Sequence, residues 1–259
     1  MKPTLAWILA LLCTCGVAFC ESPIPIGPDK LAGDADVPKI LEALQKAGTD
    51  LKNFDAKIEM TDFDPVEGSK TARKGDIWYQ RRADGDDRMR VELPVVVRQG
   101  KIFRNEKIEY KLEDGWLWDR TYLNKTEVKR QVLKPGQKIN VLKLGEGPLP
   151  LPIGQDPAEV RKQFSVTKIP LTDKDPAGSA HVQLVPTETN QQFKGKFKSI
   201  DVFVDPKTGF PNRIDTVDPS GAKKSTTLTD LKVNDPAMTD KDFDLPEIKD
   251  WNRTTEQLK

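Results

Sequence analysis

From Phe54 to Val233 the chain switches face at nearly every residue, and this alternation limits the fold more than any other feature. In "NFDAKIEM" Phe54, Ala56, Ile58 and Met60 alternate with Asp55, Lys57 and Glu59. In "DRMRVEL" Met89, Val91 and Leu93 oppose Arg88, Arg90 and Glu92. A period of two with one charged side is the mark of a strand with one buried and one solvated face. The pattern continues through "TARKGDIWYQRR", "KIFRN", "KIEYKL", "GWLWDRTYL" and "TEVKRQVL". It resumes later in "FSVTKI", "SAHVQLV", "FKSIDVFVD", "FPNRIDTVD" and "KSTTLTDLKV". "ADGDD", "EDG", "DPKTG" and "DPSGA" lie between runs and have turn chemistry. The reading is a mainly β chain of roughly ten to twelve strands, joined mostly as hairpins. No longer period recurs, so the chain is no repeat array.

Two segments depart from this pattern. Val37, Ile40, Leu41, Leu44, Ala47 and Leu51 recur at helical spacing, with Asp34 or Asp36 as cap and Pro38 in the first turn. Gly48 weakens the last turn. One face of this helix must pack on something apolar. The second departure is "KPGQKINVLKLGEGPLPLPIGQDP", residues 134–157. It is rich in Pro and Gly yet carries Val141, Leu142, Leu144, Leu149, Leu151 and Ile153. Loops normally run over wet surface, so this one is expected to pack over the core or to cover a cavity. "DPAEVRKQF" follows as a short helix capped by Asp156.

The first residues are of another kind. Lys2 precedes the apolar run Leu5–Leu12, and small residues follow in "CTCGVAFCES". Residues 1–20 read as a signal peptide, with cleavage expected between residues 18 and 22. Residues 21–33 read as a flexible leader and 34–259 as one domain. Cys20 follows Phe19 and Cys15 follows Thr14, so a lipid anchor is disfavoured. The three cysteines, 13, 15 and 20, all fall in this segment. An exported, cysteine-free chain has no disulfide framework and must be held by its core alone.

Composition excludes several functions. Removing Lys2 leaves 40 of 41 basic residues against 40 acidic ones. No basic excess exists to collect phosphates, which argues against nucleic acid as partner. His181 is the single histidine and lies in an alternating run, so it is expected to be a sheet residue rather than a base. Ser220-Gly-Ala-Lys223 matches Ser-x-x-Lys but falls in a turn, where that chemistry lacks its helix. "DGDD" at 84–87 lacks the spacing of a calcium loop. No metal, cofactor or catalytic set is expected, and the chain is read as no enzyme.

The order of the pieces resembles the LolA-like carriers that take lipoproteins across the periplasm to the outer membrane. The helix leads into "LKNFDAKIEM". "KGDIWYQRR" resembles the family's Gly-x-hydrophobic-Trp-x-x-Arg strand, "EDGWLWDR" its Gly-then-Trp strand, and "IDVFVDPKTGFPNRIDTVDPSGAKKSTTLTDLKVNDPAMTDKDFDLP" its closing block. The likeness spans residues 37–246. It departs from the family at Arg82, where Pro is usual, in a longer 95–112 segment, and in a Pro-rich 145–156 where relatives have a helix.

The resemblance implies an open antiparallel half-barrel enclosing the N-terminal helix and a lid segment, with acyl chains in an apolar cavity. Trp78, Trp116, Trp118, Leu41, Leu44, Leu149, Leu151 and Ile153 are then expected to line that cavity. Arg81 falls on the family's lid latch and would donate to lid carbonyls. The expected partners are acyl chains of lipoproteins or other lipids, with a membrane-bound donor complex and an acceptor. The expected compartment is the periplasm. The same fold serves lipid sensors and partner-binding modules, which would show a filled core and an exposed partner surface instead.

Overall fold

In the computed structural model the alternating runs form one open sheet, described over residues 36–82, 87–134, 136–138, 141–142 and 152–258. The signal-peptide and leader calls, the Ala83–Asp86 turn, and Leu144, Leu149 and Leu151 lie outside these residues.

Among the described residues the sheet has 13 strands. The first half is β1 (Asn53–Asp64), β2 (Ser69–Arg81), β3 (Asp87–Arg98), β4 (Lys101–Phe103), β5 (Ile108–Glu113), β6 (Trp116–Thr121) and β7 (Thr126–Gln131). The second half is β8 (Phe164–Lys168), β9 (Ala180–Pro186), β10 (Ser199–Val204), β11 (Pro211–Val217), β12 (Lys223–Val233) and β13 (Asn252–Glu256). Their spatial order is β13-β7-β6-β5-β3-β2-β1-β12-β11-β10-β9-β8, with β4 paired to β3 alone. Thus two antiparallel meanders meet where β1 pairs with β12. The sheet does not close on itself. The count exceeds the sequence reading by one strand, β13, which lies beyond the alternating block; the run "KIFRN" forms the three-residue β4.

The Pro-rich connection runs from β7, one strand in from the β13 edge, to β8 at the opposite edge of the sheet. Val141, Leu142 and Ile153, the described apolar residues of this connection, are fully buried in the main core. α1 (Val37–Thr49) lies on the same concave side and buries Ile40, Leu41 and Leu44 there. Asp36 caps it, accepting from Lys39 N at 3.2 Å, and Pro38 stands in its first turn. α2 (Pro157–Gln163) starts at Asp156, whose side chain accepts from Ala158 N and Glu159 N. α3 (Gln191–Lys194) is a single turn capped by Asn190.

Register decides which side chains share the concave face. Phe54 stands opposite Tyr79, Ala56 opposite Ile77, and Met60 opposite Arg73. Across β3 the face continues through Met89 and Val91, and across β5 through Leu112 and Tyr110. Phe54 and Tyr79 stack with ring centres 5.2 Å apart. Gly75 sits at a bulge between β2 and β3; a Cβ there would lie 1.7 Å from the Glu92 carbonyl oxygen. The glycine of "KGDIWYQR" is therefore required by a neighbouring strand.

The convex face is also covered over β3, β5 and β6. A 3-10 turn, Asp240–Phe243, and the chain after it cross this side, ending in β13, which pairs parallel with β7. Phe243 is buried there, under the Arg88 guanidinium at 4.1 Å from the ring centre. Arg90 donates to Asp242 O at 3.1 Å and Arg120 to Pro246 O at 2.7 Å. The "polar" side of β3 is thus a second, charged interior. Among the described residues no helix is long and apolar enough to cross a membrane.

Candidate functional site

The three tryptophans expected at the cavity stand on the convex face. Trp78 is opposite Asp55 on β1 and Arg90 on β3, and the Arg90 guanidinium lies 5.0 Å from its ring centre. Trp116 and Trp118 flank Lys129, whose ammonium is 4.6 and 4.7 Å from the two rings. Strand parity is the cause. Tyr79 and Ile77 occupy the core side, so Trp78 between them must face away. The aromatic beside the arginine pair is a platform for cations rather than a cavity wall.

Arg81 has the concave parity and reaches the end of α1. Its Nη1 donates to the Gly48 carbonyl at 3.1 Å, and its Nε lies 3.7 Å from Asp87 Oδ1. A cation on a helix's last free carbonyls satisfies an orphan acceptor and opposes the negative end of the helix dipole. The Pro-rich connection is tied to the same helix a turn earlier, where Gly154 N donates to Leu44 O at 2.9 Å. Here Gly48 and Gly154 touch. A Cβ on Gly48 would lie 2.4 Å from Gly154 Cα. Ile153, Leu41 and Leu44 come together in the filled core beneath this contact.

The concave face remains open at the other end of the sheet. A cleft of about 470 Å³ lies where β1, β11 and β12 pass beyond α1. Met60, Ile214 and Phe197 give it apolar walls, with Thr216 and Thr226 between them. Its rim carries Asp62, Asp64, Asp218, Lys223 and Lys224, with Phe63 beside them. Asp62 is bridged on both sides, by Arg73 at 2.9 Å and Lys224 at 3.3 Å. This volume falls within the roughly 300–1,000 Å³ of small-molecule sites.

Sequence reading treated Met60 as core and did not single out Ile214, Phe197 or Lys224. The usable signal was the end of alternation on β1, where Met60 is followed on the same face by Asp62. An apolar strip that turns charged before its strand ends marks the mouth of a groove.

Elsewhere several polar side chains are tied to neighbours within the fold. His181 Nε2 is 2.9 Å from Asp201 Oδ1, and its ring stacks on Phe203 at 4.0 Å. Glu109, fully buried, accepts from Arg90 at 2.9 Å and from Tyr122 at 2.5 Å, and faces Lys107 at 3.1 Å. Burial pushes its carboxyl up. The Tyr122 hydroxyl, Arg90 and Lys107 together outweigh that and hold it below the usual carboxylate range. Ser220 and Asp218 bond to one another within the β11–β12 turn. Among the described residues no three of His, Cys, Asp and Glu form a group that could hold a metal.

No family model and no curated protein matches the chain. Solved structures do. The chain is similar to one in the complex of Pseudomonas aeruginosa MucA/MucB, at 16% identity and a TM-score of 0.46, over 82% of this chain and 62% of that one. It thus spans less than two thirds of that chain. It is also similar to a putative outer membrane lipoprotein-sorting protein domain from Vibrio parahaemolyticus, at 12% identity and TM-score 0.34, over 79% and 94% of the two chains. A LolA superfamily protein from Nitrosomonas europaea matches at 10% identity and TM-score 0.31, over 82% and 98%. At these values the functional reading stands on this chain's own geometry.

Proposed function

We propose that this protein is an exported, non-catalytic lipid-binding protein whose cleft between β1, β11 and β12 holds an acyl chain. A carrier role in outer-membrane lipoprotein sorting, in the periplasm, follows from that reading. The observation that carries it is the cleft itself. Its Met60, Ile214 and Phe197 walls run out of the core, and a charged rim closes the mouth. Such a site suits an amphiphile, with the chain on the apolar walls and the head at the rim. Arg81 takes the role of holding α1 against the sheet, so that the core beneath α1 stays filled while the cleft exchanges ligand.

Titration with a fluorescent fatty acid tests this. The wild-type protein should bind it. Met60→Arg, which fills the cleft from a half-buried position, should weaken binding at least about tenfold, since several buried methylenes are each worth near 0.8 kcal/mol. Equal binding by the two proteins would refute the site.

One observation favours a second reading, a partner-binding module without cargo. The concave face under α1 is filled by Ile40, Leu41, Leu44 and Ile153, and the tryptophans face outward. On that reading the wild-type protein binds no fatty acid at all.

A further inference from the structure

The edge of the sheet at which the cleft opens carries a second feature. Three turns stand side by side there. Phe63 lies opposite both Lys70 and Lys223, which places the β1–β2 and β11–β12 turns together. Thr71 lies opposite Arg98, and Arg98 opposite Lys101, which adds the β3–β4 turn. These turns and the strand ends beside them expose apolar side chains that a soluble surface gains nothing from. Val66 is 91% exposed, Ile102 60% and Phe63 37%.

The charges around them are uneven in kind. The carboxylates are hydrogen-bonded within their own turns and keep their charge, but are outnumbered by the lysines. Asp64 accepts from Val66 N and Glu67 N, Glu67 from Ser69 Oγ, and Asp218 from Ser220 Oγ and Ala222 N. The exposed Lys70, Lys101, Lys196, Lys198 and Lys223 enter no ion pair among the described residues.

We propose that this rim is a docking surface for an anionic lipid bilayer. Apolar tips enter the headgroup layer while the unpaired lysines meet lipid phosphates. The placement adds a reason. Phe63 and Lys223 belong to both the rim and the cleft wall, so a docked bilayer faces the cleft mouth directly. The proposal goes beyond the cleft reading and does not depend on it, because Val66 and Ile102 line no part of the cleft.

Flotation with vesicles tests it, using phosphatidylcholine alone and phosphatidylcholine with roughly one third phosphatidylglycerol. The wild-type protein should float with the anionic vesicles and not with the neutral ones. Each lysine near an anionic surface contributes about fivefold in affinity, so Lys70→Glu with Lys223→Glu should lose at least tenfold. Val66→Asp with Ile102→Asp should also lose vesicle binding while keeping fatty-acid binding, and the retained fatty-acid binding separates this loss from unfolding. Val185→Asp, the same change at the exposed position of the otherwise largely buried β9, should float as the wild type does. Absence of wild-type flotation, equal flotation on neutral vesicles, or unaltered flotation of the tip variants would overturn the proposal. An equal loss in Val185→Asp would overturn it too.

Discussion

Glu109 shows how one residue reports the second interior of the fold. It is a carboxylate at 0% exposure, held by Arg90, Lys107 and Tyr122 and roofed by the C-terminal chain. Removing one partner of such a network is costly, about 3–5 kcal/mol, because the remaining charges are left buried and unpaired. Its carboxyl is held below its unfolded range. The unfolded chain therefore takes up the proton first as pH falls. The stabilisation is full above the ordinary Glu value of about 4.3 and is lost as pH drops through the lower folded value. Urea denaturation between neutral pH and pH 3 should show a steep acid limb in the wild type. Glu109→Gln should be less stable at neutral pH with a shallower acid limb; an unchanged slope would contradict the assignment. None of this network was legible in the sequence. Arg88, Arg90 and Glu109 read there as the wet side of amphipathic strands, because alternation separates two faces without saying what covers each. Trp78 was misplaced for a related reason. Ile77 and Tyr79 on either side of it hold the core parity, and the family resemblance that placed Trp78 at the cavity does not say which strand face it takes.

At the scale of elements, α1 and the Pro-rich connection depend on each other. α1 was readable from the sequence, since Pro38 and the Ile40–Leu41–Leu44 spacing point to one helix; of the two candidate caps, Asp34 and Asp36, the structure uses Asp36. Gly48 looked like a weak last turn. In the structure it is the place where Gly154 packs against the helix, and Gly154 itself has φ +73°, a conformation glycine takes most readily. In an ordinary exposed helix Gly→Ala would gain up to about 1 kcal/mol. Here Gly48→Ala should destabilise, because its methyl meets backbone rather than a flexible side chain. Arg81→Leu should loosen the same helix end by about 1–2 kcal/mol, having lost a charged donor to the Gly48 carbonyl. Thermal denaturation of the two variants checks both signs; a higher melting temperature for Gly48→Ala would show that the contact is slack. The contact was invisible in the sequence, since Gly48 and Gly154 are brought together only by the crossing from β7 to β8.

Over the whole molecule, two meanders share a seam at β1 and β12, and the ends of that seam are treated differently. Near Phe54 the concave face is filled by α1, Phe210 and Ile153. Near Met60 it is left open as the cleft. The alternation, the hairpin turns and the helical spacing were enough to foresee a mainly β chain with one N-terminal helix, while the open half-barrel around that helix was implied by the family resemblance. They could not locate the opening, because Met60 and Ile58 look alike in a strand until the helix is seen to stop short of one of them. The central claim is that this opening holds an acyl chain. Native mass spectrometry of the protein purified from its own envelope, followed by organic extraction of any adduct, tests it most directly. The account predicts a lipid-sized mass on the wild-type protein that is extracted as an acylated molecule and is missing from Met60→Arg; a bare protein mass in both, or the same adduct on both, would contradict it.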